Sequence, residues 1–316
     1  MAVRDDRILV IKLGALGDMV QALGPFQAIR RHHGHAHITL LTTAPFADFA
    51  RATGWFDDVW IDARPRGGDV AGWLDLRRRL RGGKFRRVYD LQTSDRSGFY
   101  FRLLLPGRRP EWSGIAPGCS HPHANAGRDA LHTLERQAEQ LAQAGIPWVP
   151  PPDLGWAVAD VGRFGLAAPY VLLVPGGAAH RPAKRWPAAG YRELAKRLLE
   201  AGVTPVLIGG SGERELTGFI ALGLAGVRDL AGETGLLDLA VLARGAAAAV
   251  GNDTGPMHVA AAAGCPTVVL YSAESDPALC AQRGPEVAIL RRDDLSDLSV
   301  DVVAGALPAS LGVAQS

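Results

Sequence analysis

The sequence predicts an α/β protein made of two doubly wound domains. Short apolar, β-branched segments alternate with longer amphipathic segments along most of the chain, the pattern of βαβ units around a parallel sheet. The alternation stops at the proline-rich stretch 146–152 and then restarts. A length of 316 residues also suits two domains of about 150 residues each. We therefore place one domain at 1–150 and the other at 151–316.

Each element of the first domain follows from its local pattern. The β-branched run at 7–12 predicts a strand, and the glycine loop after it leads into a helix with apolar residues at helical spacing. The same alternation then repeats. Strands are predicted at 7–12, 37–41, 59–61 and 87–91, and helices at 19–33, 44–52, 70–81, 94–105 and 130–144.

The second domain repeats the pattern with more continuous apolar strands. Uninterrupted apolar runs are typical of parallel strands that are buried on both faces. Strands are predicted at 170–174, 204–208, 227–230, 246–250, 267–270 and 287–290, and helices at 187–201, 212–222, 236–244, 256–263 and 300–307.

Composition excludes several classes of protein. The chain is 47% hydrophobic and 21% charged, as in globular proteins, and no apolar run approaches the roughly 20 residues of a membrane span. Residues 1–6 lack the apolar stretch of a signal peptide, so a cytoplasmic location is expected. Cys119, Cys265 and Cys280 show no spacing typical of a disulfide framework or a zinc site.

Charge is distributed unevenly along the chain. The net charge is +2, but residues 1–150 hold 21 Lys and Arg against 15 Asp and Glu, and the remainder holds 13 against 17. A basic cluster lies between residues 77 and 87, where it could meet an anionic partner or membrane surface, or simply form a solvated helix face. Its members are Arg77, Arg78, Arg79, Arg81, Lys84, Arg86 and Arg87.

The segment 248–271 is the most informative part of the sequence. It joins a buried strand, a polar loop and a helix of small residues. Asp253 or Thr254 could cap this helix, and Pro256 suits its first turn. A helix that begins after a parallel strand presents N–H groups and the positive end of its dipole to the ligand crevice, which favours a phosphate-bearing ligand. The small side chains further along the helix predict close packing.

Three other loops of the second domain suit a nucleotide. Gly176 and Gly177 let the backbone approach a ligand, while Lys184 and Arg185 can neutralise a diphosphate. Trp186 could be only a packed indole at a helix start. Glu213 and Glu215 are both candidates for ribose hydroxyls, with Glu213 the first choice, although either could instead complement a helix dipole. Gly232 lies in the loop after the following strand.

These motifs together resemble glycosyltransferase family nine, the ADP-heptose:lipopolysaccharide heptosyltransferases, along nearly the whole chain. The motifs that carry the resemblance are Ile11-Lys12 with Leu16-Gly17-Asp18, Asp90-Leu91-Gln92 with Arg96-Ser97, Pro175-Gly176-Gly177 with Lys184-Arg185-Trp186-Pro187, Leu230-Ala231-Gly232-Glu233-Thr234, and Gly251-Asn252-Asp253-Thr254-Gly255-Pro256-Met257-His258. The resemblance implies a GT-B fold in which two Rossmann-like domains face each other across a cleft. The first domain would bind the acceptor and the second the nucleotide sugar, with the C-terminal helix able to pack back on the first domain.

The resemblance also implies residue roles. Asp18 takes the place of the general base, and Lys184 that of a donor-phosphate ligand. The implied donor site consists of Gly176, Gly177, Lys184, Arg185, Glu213, Gly232, Asp253, Thr254, Gly255 and His258, although His258 could be structural. The implied acceptor site consists of Gly17, Gln92, Arg96, Arg128 and His132. Arg128, His132 and Arg136 are expected on one helix at four-residue spacing, facing either the acceptor or solvent.

The implied reaction is a single inverting displacement on ADP-heptose. Asp18 would take the proton of an acceptor hydroxyl while the nucleoside diphosphate leaves towards Lys184 and the helix dipole. A carboxylate near a helix N-terminus is a weakened base, so burial would have to offset that effect. The sequence has no Asp-x-Asp triplet, so neither a metal nor another cofactor is expected. The implied acceptor is an acidic, lipid-linked saccharide, which would place the enzyme at the cytoplasmic face of the inner membrane.

Rival functions fit the sequence less well. An NAD-dependent oxidoreductase would need Gly-x-Gly-x-x-Gly after the first strand, where this chain has Gly14-Ala15-Leu16-Gly17, and an acidic residue after the second. A non-catalytic nucleotide-binding module would not need Asp18. Nucleic-acid binding is disfavoured by the near-neutral total charge. Other nucleotide sugars and other acceptors within the family stay open.

Overall fold

The computed structural model describes residues 6–107, 109–178 and 180–313. The chain forms two compact units that divide between Pro151 and Pro152. Each unit contains one six-stranded parallel sheet flanked by helices. Within the described residues, no helix is long and apolar enough to cross a membrane.

The first unit has the strand order β3-β2-β1-β4-β5-β6. Neighbouring strands pair in parallel, with Val10 opposite Leu40 on one side and Tyr89 on the other. The strands are β1 Arg7–Ile11, β2 His37–Thr42, β3 Asp58–Ile61, β4 Arg87–Asp90, β5 Glu111–Gly114 and β6 His121–Pro122. The helices are α1 Leu16–Gln21, α2 Leu23–His32, α3 Ala47–Ala52, α4 Val70–Gly82, α5 Asp95–Leu103 and α6 Thr133–Gln143.

The second unit has the strand order β12-β11-β10-β7-β8-β9, again with parallel pairing. In both units the order reverses beside the first strand, so the connections on its two sides run in opposite directions. The strands are β7 Tyr170–Val174, β8 Thr204–Leu207, β9 Arg228–Asp229, β10 Ala248–Asn252, β11 Thr267–Tyr271 and β12 Val287–Arg291. The helices are α7 Ala188–Glu200, α8 Arg214–Ala221, α9 Leu236–Gly245, α10 Gly255–Ala262, α11 Pro277–Cys280 and α12 Val300–Gly305.

The predicted elements differ from the observed ones mainly in the first unit. The helix predicted at 19–33 is two helices, α1 and α2, with Ala22 as the C-cap of one and the N-cap of the other. Pro25 lies in the first turn of α2, where its missing N–H costs no intrahelical hydrogen bond. Strands β5 and β6 were not predicted. Short 3₁₀ helices lie at Ala44–Phe46, Arg128–Ala130, Gly162–Phe164, Pro182–Lys184, Ser211–Glu213, Leu295–Asp297 and Ala309–Leu311.

Each unit has its own apolar core on the faces of its sheet. In the second unit Val250 of β10 and Leu173 of β7 are fully buried and share a cluster with Leu194 of α7. The helix α10 packs through small side chains, since all six residues from Met257 to Ala262 are buried. The predicted close packing of this helix is therefore confirmed, and it holds the start of α10 at a fixed position beside the end of β10.

Candidate active site

A crevice opens at the carboxyl end of the second sheet, where the connections after β7 and β10 diverge. Its volume is about 350 Å³, within the range of small-molecule sites. Ligands of open α/β sheets bind at this point of reversed strand order. The residues that line it are Val174, Gly176, Gly177, Ala178, Lys184, Glu213, Asp253, Thr254, Gly255 and Pro256.

Asn252, the last residue of β10, fixes the walls of this crevice. Its side chain is fully buried, and its Nδ2 donates to the carbonyls of Pro175 (2.8 Å) and Gly176 (3.0 Å). Its Oδ1 accepts from the N–H of Trp186 (2.9 Å) and from the hydroxyl of Tyr191 (3.1 Å). One amide group therefore holds both ends of the loop that carries the glycines and Lys184.

Glu213 holds the glycine loop from the other side. Its Oε1 accepts from the N–H of Gly177 (2.9 Å), and its Oε2 accepts from the N–H of Gly210 (2.8 Å). A Cβ atom at Gly176 would lie 1.6 Å from Glu213 Oε1, so no other residue fits there without displacing the carboxylate. Glu213 lines the crevice, whereas Glu215 is exposed on α8 and lies outside the lining set.

Lys184 and Asp253 form the charged centre of the crevice. The Lys184 Nζ lies 2.5 Å from Asp253 Oδ2, and the two side chains are only 14% and 8% exposed. Asp253 also accepts from Ser275 Oγ (2.8 Å) and Gln282 Nε2 (3.2 Å). Burial acts to raise the pKa of Asp253, but the hydrogen bond and charge of Lys184, together with hydrogen bonds from Ser275 and Tyr271, hold the pKa below its ordinary value. Asp253 is therefore an anion at neutral pH.

Thr254 is confirmed as the N-cap residue of α10, but the expected capping hydrogen bond is not made. Thr254 occupies the N-cap position, but its side chain makes no capping bond and its Oγ1 instead donates to the carbonyl of Asn252 (3.2 Å). The Asp253 carboxylate is bonded to Lys184 rather than to the helix. Because no side chain caps α10, its positive end faces the crevice beside Lys184, an arrangement that attracts an anion.

In the first unit, Asp18 lies in the first turn of α1, just beyond the end of β1. Its Oδ2 accepts from the N–H of Ala15 (2.9 Å). Lys12, which is 4% exposed, donates to the carbonyl of Leu91 (3.1 Å). Burial lowers the pKa of Lys12, the charge of Asp18 opposes that shift, and the charge of Arg136 adds to it. Asp18 therefore lies in the field of two cations.

Comparisons with known proteins decide the family. A family model described as glycosyltransferase family 9 (heptosyltransferase) matches residues 73–295. The chain belongs to this family.

Relatives and solved structures agree with that assignment. The chain is 44% identical over 120 residues to lipopolysaccharide heptosyltransferase 2 of Escherichia coli, which covers 36% of this chain and 34% of that relative. It is 29% identical over 288 residues to lipopolysaccharide heptosyltransferase 1 of Pseudomonas aeruginosa, which covers 84% of this chain and 78% of the relative. The first alignment thus spans about a third of the E. coli protein.

The fold itself matches solved heptosyltransferases. The structure of E. coli ADP-heptose heptosyltransferase II aligns with a TM-score of 0.80 at 24% identity, over 96% of this chain and 98% of that one. The structure of E. coli heptosyltransferase WaaC with ADP aligns with a TM-score of 0.75 at 22% identity, over 94% and 97%. The predicted α/β, GT-B fold class is confirmed.

Some residues implied for the donor site of this family 9 chain do not line the crevice. Arg185 donates from Nη2 to the carbonyl of Gly177 (2.5 Å), so it holds the glycine loop without lining the crevice. Trp186 is buried, donates from Nε1 to the carbonyl of Leu298 (2.9 Å), and stacks edge-on against Tyr191. His258 is buried in α10. The N–H of Gly232 donates to the carbonyl of Gly209 (2.8 Å), which places Gly232 between the ends of β8 and β9.

The residues implied for the acceptor site spread over the carboxyl edge of the first sheet. Gly17 lies in α1 beside Asp18. Gln92, just after β4, accepts from the N–H of Leu13 (2.8 Å) through Oε1 and so joins the loops that follow β1 and β4. Arg96 donates to the carbonyl of Pro65 (3.2 Å) and stacks over the ring of Trp73.

The expectation that Arg128, His132 and Arg136 share one helix is wrong. Arg128 lies in a separate 3₁₀ turn, and His132 is the N-cap of α6, where its Nδ1 accepts from the N–H of Leu134 (3.2 Å). Arg136 alone of the three lies within α6. Burial and then the charge of Arg128 lower the pKa of Arg136, while Asp129 and Asp18 oppose the shift. Arg136 is therefore an electrostatic neighbour of Asp18 that the sequence analysis did not include among the acceptor candidates.

Three residues that form hydrogen bonds around the crevice had no predicted role. Asn252, Ser275 and Gln282 make the hydrogen bonds described above, and Gln282 Oε1 also accepts from the hydroxyl of Tyr271 (3.0 Å). Asn252 is inside a recognised motif and could have been identified there. Ser275 and Gln282 lie in the connection after β11, in a stretch without a local motif, so only the fold brings them to Asp253.

Proposed function

We propose that this enzyme transfers a heptose from ADP-heptose to an acidic, lipid-linked saccharide of the lipopolysaccharide core. The observation that carries the proposal is the crevice at the end of β7 and β10, where Lys184 and the uncapped end of α10 converge. Two positive groups in a small, half-enclosed site suit a diphosphate. The names of its relatives, lipopolysaccharide heptosyltransferases, support the heptose and the acceptor. The structure of WaaC with ADP supports the nucleotide.

The donor would enter the crevice with its diphosphate against Lys184 and the start of α10. The glycines at 176 and 177 let phosphate oxygens approach the backbone closely. A diphosphate must compete with Asp253 for the Lys184 ammonium, so Asp253 sets how strongly that cation is committed before the donor arrives. Glu213 lies on the crevice wall, where it is the first candidate for the ribose hydroxyls.

The reaction would be one displacement with inversion at the anomeric carbon. Asp18 takes the proton from the acceptor hydroxyl, the hydroxyl oxygen bonds to the anomeric carbon, and the bond from that carbon to the diphosphate oxygen breaks. The electron pair leaves on the diphosphate, where Lys184 and the helix dipole stabilise the added charge. In this scheme no metal is required, and we expect transfer to persist in excess EDTA. A loss of activity in EDTA that Mg²⁺ restores would contradict that part of the proposal.

The nucleotide assignment can be tested directly by thermal shift. We expect ADP to raise the melting temperature of the protein more than UDP, GDP or CMP at equal concentration, because binding to the folded state alone stabilises it. Transfer assays with ADP-heptose would follow. Stabilisation by UDP without stabilisation by ADP would overturn the assigned donor.

The lipid-linked acceptor implies that the enzyme works at the cytoplasmic face of the inner membrane. Anionic lipids there attract basic surfaces of the kind that the first unit carries.

A further inference from the structure

An exposed apolar surface spans two helices of the first unit. Val70 and Leu74 lie one turn apart on α4 and are 65% and 58% exposed. Phe99 on α5 is 41% exposed and stacks edge-on against Trp73, with ring centroids 5.1 Å apart. We call the surface formed by Val70, Trp73, Leu74 and Phe99 the α4–α5 ridge. Single exposed apolar residues are ordinary, but three exposed ones around a half-buried tryptophan on two neighbouring helices favour an interaction site.

Basic side chains continue the ridge along both helices. Arg78 lies four residues after Leu74, and its side chain is 79% exposed. Arg102 lies three residues after Phe99 and is exposed, as is Arg81 one turn beyond Arg78. The two helices therefore present apolar residues first and arginines next, on adjoining parts of the same surface.

Fewer acidic than basic residues lie near the ridge, and two of the acidic side chains already have hydrogen-bond or ion-pair partners. Asp69 accepts from the N–H of Gly72 as the N-cap of α4, and Asp75 pairs with Arg78 at 2.5 Å. Asp95 is exposed at the start of α5, whereas Arg64 and Arg66 are exposed in the loop before α4. The surroundings of the ridge are therefore net positive.

The ridge replaces the basic cluster at 77–87 as the candidate docking surface. Arg77 donates to the carbonyls of Leu103 (3.1 Å) and Leu105 (2.9 Å), and Arg79 donates to the carbonyl of Ile61 (3.0 Å). Arg87 pairs with Glu111 at 2.7 Å. These three arginines are engaged in the fold of the unit. Arg78 and Arg81, on the exposed side of α4, continue the ridge.

The ridge also lies near the carboxyl edge of the sheet that carries Asp18. Helix α4 begins after β3 and α5 begins after β4, so the first turns of both helices start from the edge where β1 leads to Asp18. Arg96 ties the loop before α4 to α5 through its hydrogen bond to the carbonyl of Pro65. The apolar residues of α4 are in its first two turns, on the side of the unit where an acceptor hydroxyl would meet the base.

We propose that the α4–α5 ridge docks on an anionic lipid bilayer. Apolar side chains enter the interfacial region while arginines meet the lipid phosphates, the combination by which amphipathic surfaces bind anionic membranes. Docking there would hold the carboxyl edge of the first sheet towards the membrane, where a lipid-anchored acceptor presents its sugar. This part of the inference rests on the proposed function, whereas docking itself can be measured independently.

The test compares Leu74→Asn, alone and combined with Phe99→Asn, with the unaltered protein. Co-sedimentation with vesicles of phosphatidylglycerol and phosphatidylcholine should weaken by about tenfold or more in the double variant. Vesicles of phosphatidylcholine alone should bind the unaltered protein weakly. The matched control is Leu222→Asn, since Leu222 is 68% exposed in the second unit; it should bind vesicles as the unaltered protein does. Arg78→Glu with Arg102→Glu should also abolish binding to the anionic vesicles.

Other measurements separate this inference from the proposed function. Stabilisation by ADP and transfer to a lipid-free acceptor should be unchanged in Leu74→Asn, while transfer to an acceptor embedded in vesicles should fall. Vesicle binding that is unchanged in the folded double variant overturns the ridge as a membrane site. So does a change of oligomeric state in light scattering without a change in vesicle binding, because the ridge would then contact a second copy of the chain. If the unaltered protein binds vesicles through the ridge but shows neither ADP stabilisation nor transfer, the proposed function fails and the docking surface stands.

Discussion

Asp90 is a buried acid at the end of β4, two residues before Gln92. Its side chain is fully buried, and its Oδ1 accepts from the N–H groups of Gln92 (3.1 Å) and Thr93 (3.0 Å). Burial raises the pKa of Asp90 to about 6, although these hydrogen bonds and the charge of Lys12 oppose the shift. In the unfolded chain the pKa of an aspartate is about 3.9.

This shift predicts how stability changes with pH. Because the folded protein holds the proton of Asp90 more tightly, its contribution is greatest below about pH 4 and is lost as the pH rises through about 6. The free energy of unfolding of Asp90→Asn, relative to the unaltered protein, should therefore rise by on the order of 2 kcal/mol between pH 4 and pH 7. Denaturant titrations at several pH values measure it.

A constant offset is expected as well, since the amide of asparagine replaces the neutral carboxyl group in this buried site. The test is therefore how the difference in free energy of unfolding changes with pH, because a constant offset does not affect that change. Asp48→Asn serves as the control, because the Asp48 side chain is 97% exposed. If the difference between Asp90→Asn and the unaltered protein stays constant from pH 4 to pH 7, Asp90 has no raised pKa.

Gly176 packs so closely against the carboxylate of Glu213 that there is no room for a side chain at this position. In Gly176→Ala the new methyl group must displace the carboxylate of Glu213, which then loses its hydrogen bonds from Gly177 and Gly210. We expect a destabilisation on the order of 2 kcal/mol and a weaker affinity for ADP. Gly218→Ala is the matched control: a Cβ there meets nothing within 4 Å, and alanine favours a helix. Calorimetry that shows unchanged ADP binding in a folded Gly176→Ala protein would contradict the role of the loop.

At the scale of elements, the connection after β11 supports the charged centre beside β10. Tyr271, the last residue of β11, donates to Gln282, which in turn donates to Asp253. Ser275 from the same connection donates to the other carboxylate oxygen. Three residues from β11 and the connection after it thus hold Asp253 in place, and Asp253 in turn holds Lys184.

Breaking this support should weaken donor binding. Gln282→Leu removes the amide oxygen that accepts from the hydroxyl of buried Tyr271 and the amide nitrogen that donates to Asp253 Oδ1. We expect the dissociation constant of ADP and the KM of the donor to rise about tenfold, with a smaller change in kcat. Ser275→Ala should act in the same direction, and both variants together should exceed either alone. Equal ADP affinity in the folded double variant would show that Lys184 does not depend on this network.

Most elements could be predicted because their patterns are local. The apolar runs of β7, β10 and β11 and the helical spacing of α7 identify those elements from sequence. The strands β5 and β6 could not be predicted, because their residues, Glu-Trp-Ser-Gly and His-Pro, include no β-branched residue and they form by pairing at the edge of the sheet. The break between α1 and α2 depends on the cap at Ala22.

The residues of the candidate site also fall into two groups: some stand in local motifs, and others come together only in the fold. Gly176, Lys184 and Asp253 stand in motifs that can be read from the sequence, and the fold brings them to one crevice. The sequence could not show that Asp253 bonds Lys184 rather than capping α10, because 69 residues separate the two side chains. For the same reason it could not identify Gln282 or the position of Arg136 near Asp18.

Across the whole chain, the residues proposed for donor binding and for proton transfer belong to different units. The proposed donor site is lined by residues of the second unit, and the proposed base belongs to the first. Removing the proposed base, Asp18, should leave donor binding intact. Removing Lys184, which is proposed to bind the donor phosphates, should weaken donor binding. A non-catalytic nucleotide-binding protein would also lose donor binding when Lys184 is removed. It would transfer no heptose, so removing Asp18 would change nothing that can be measured.

The most direct test therefore measures ADP affinity and heptose transfer in Asp18→Asn and Lys184→Ala. We expect Asp18→Asn to bind ADP as the unaltered protein does and to lose at least about a hundredfold in kcat, the usual contribution of a general base. Lys184→Ala should lose ADP affinity by about tenfold or more. Lys196→Ala on the surface of α7, where the Lys196 side chain is 55% exposed, should change neither quantity. Unaltered turnover in Asp18→Asn would show that Asp18 is not the general base of the transfer reaction.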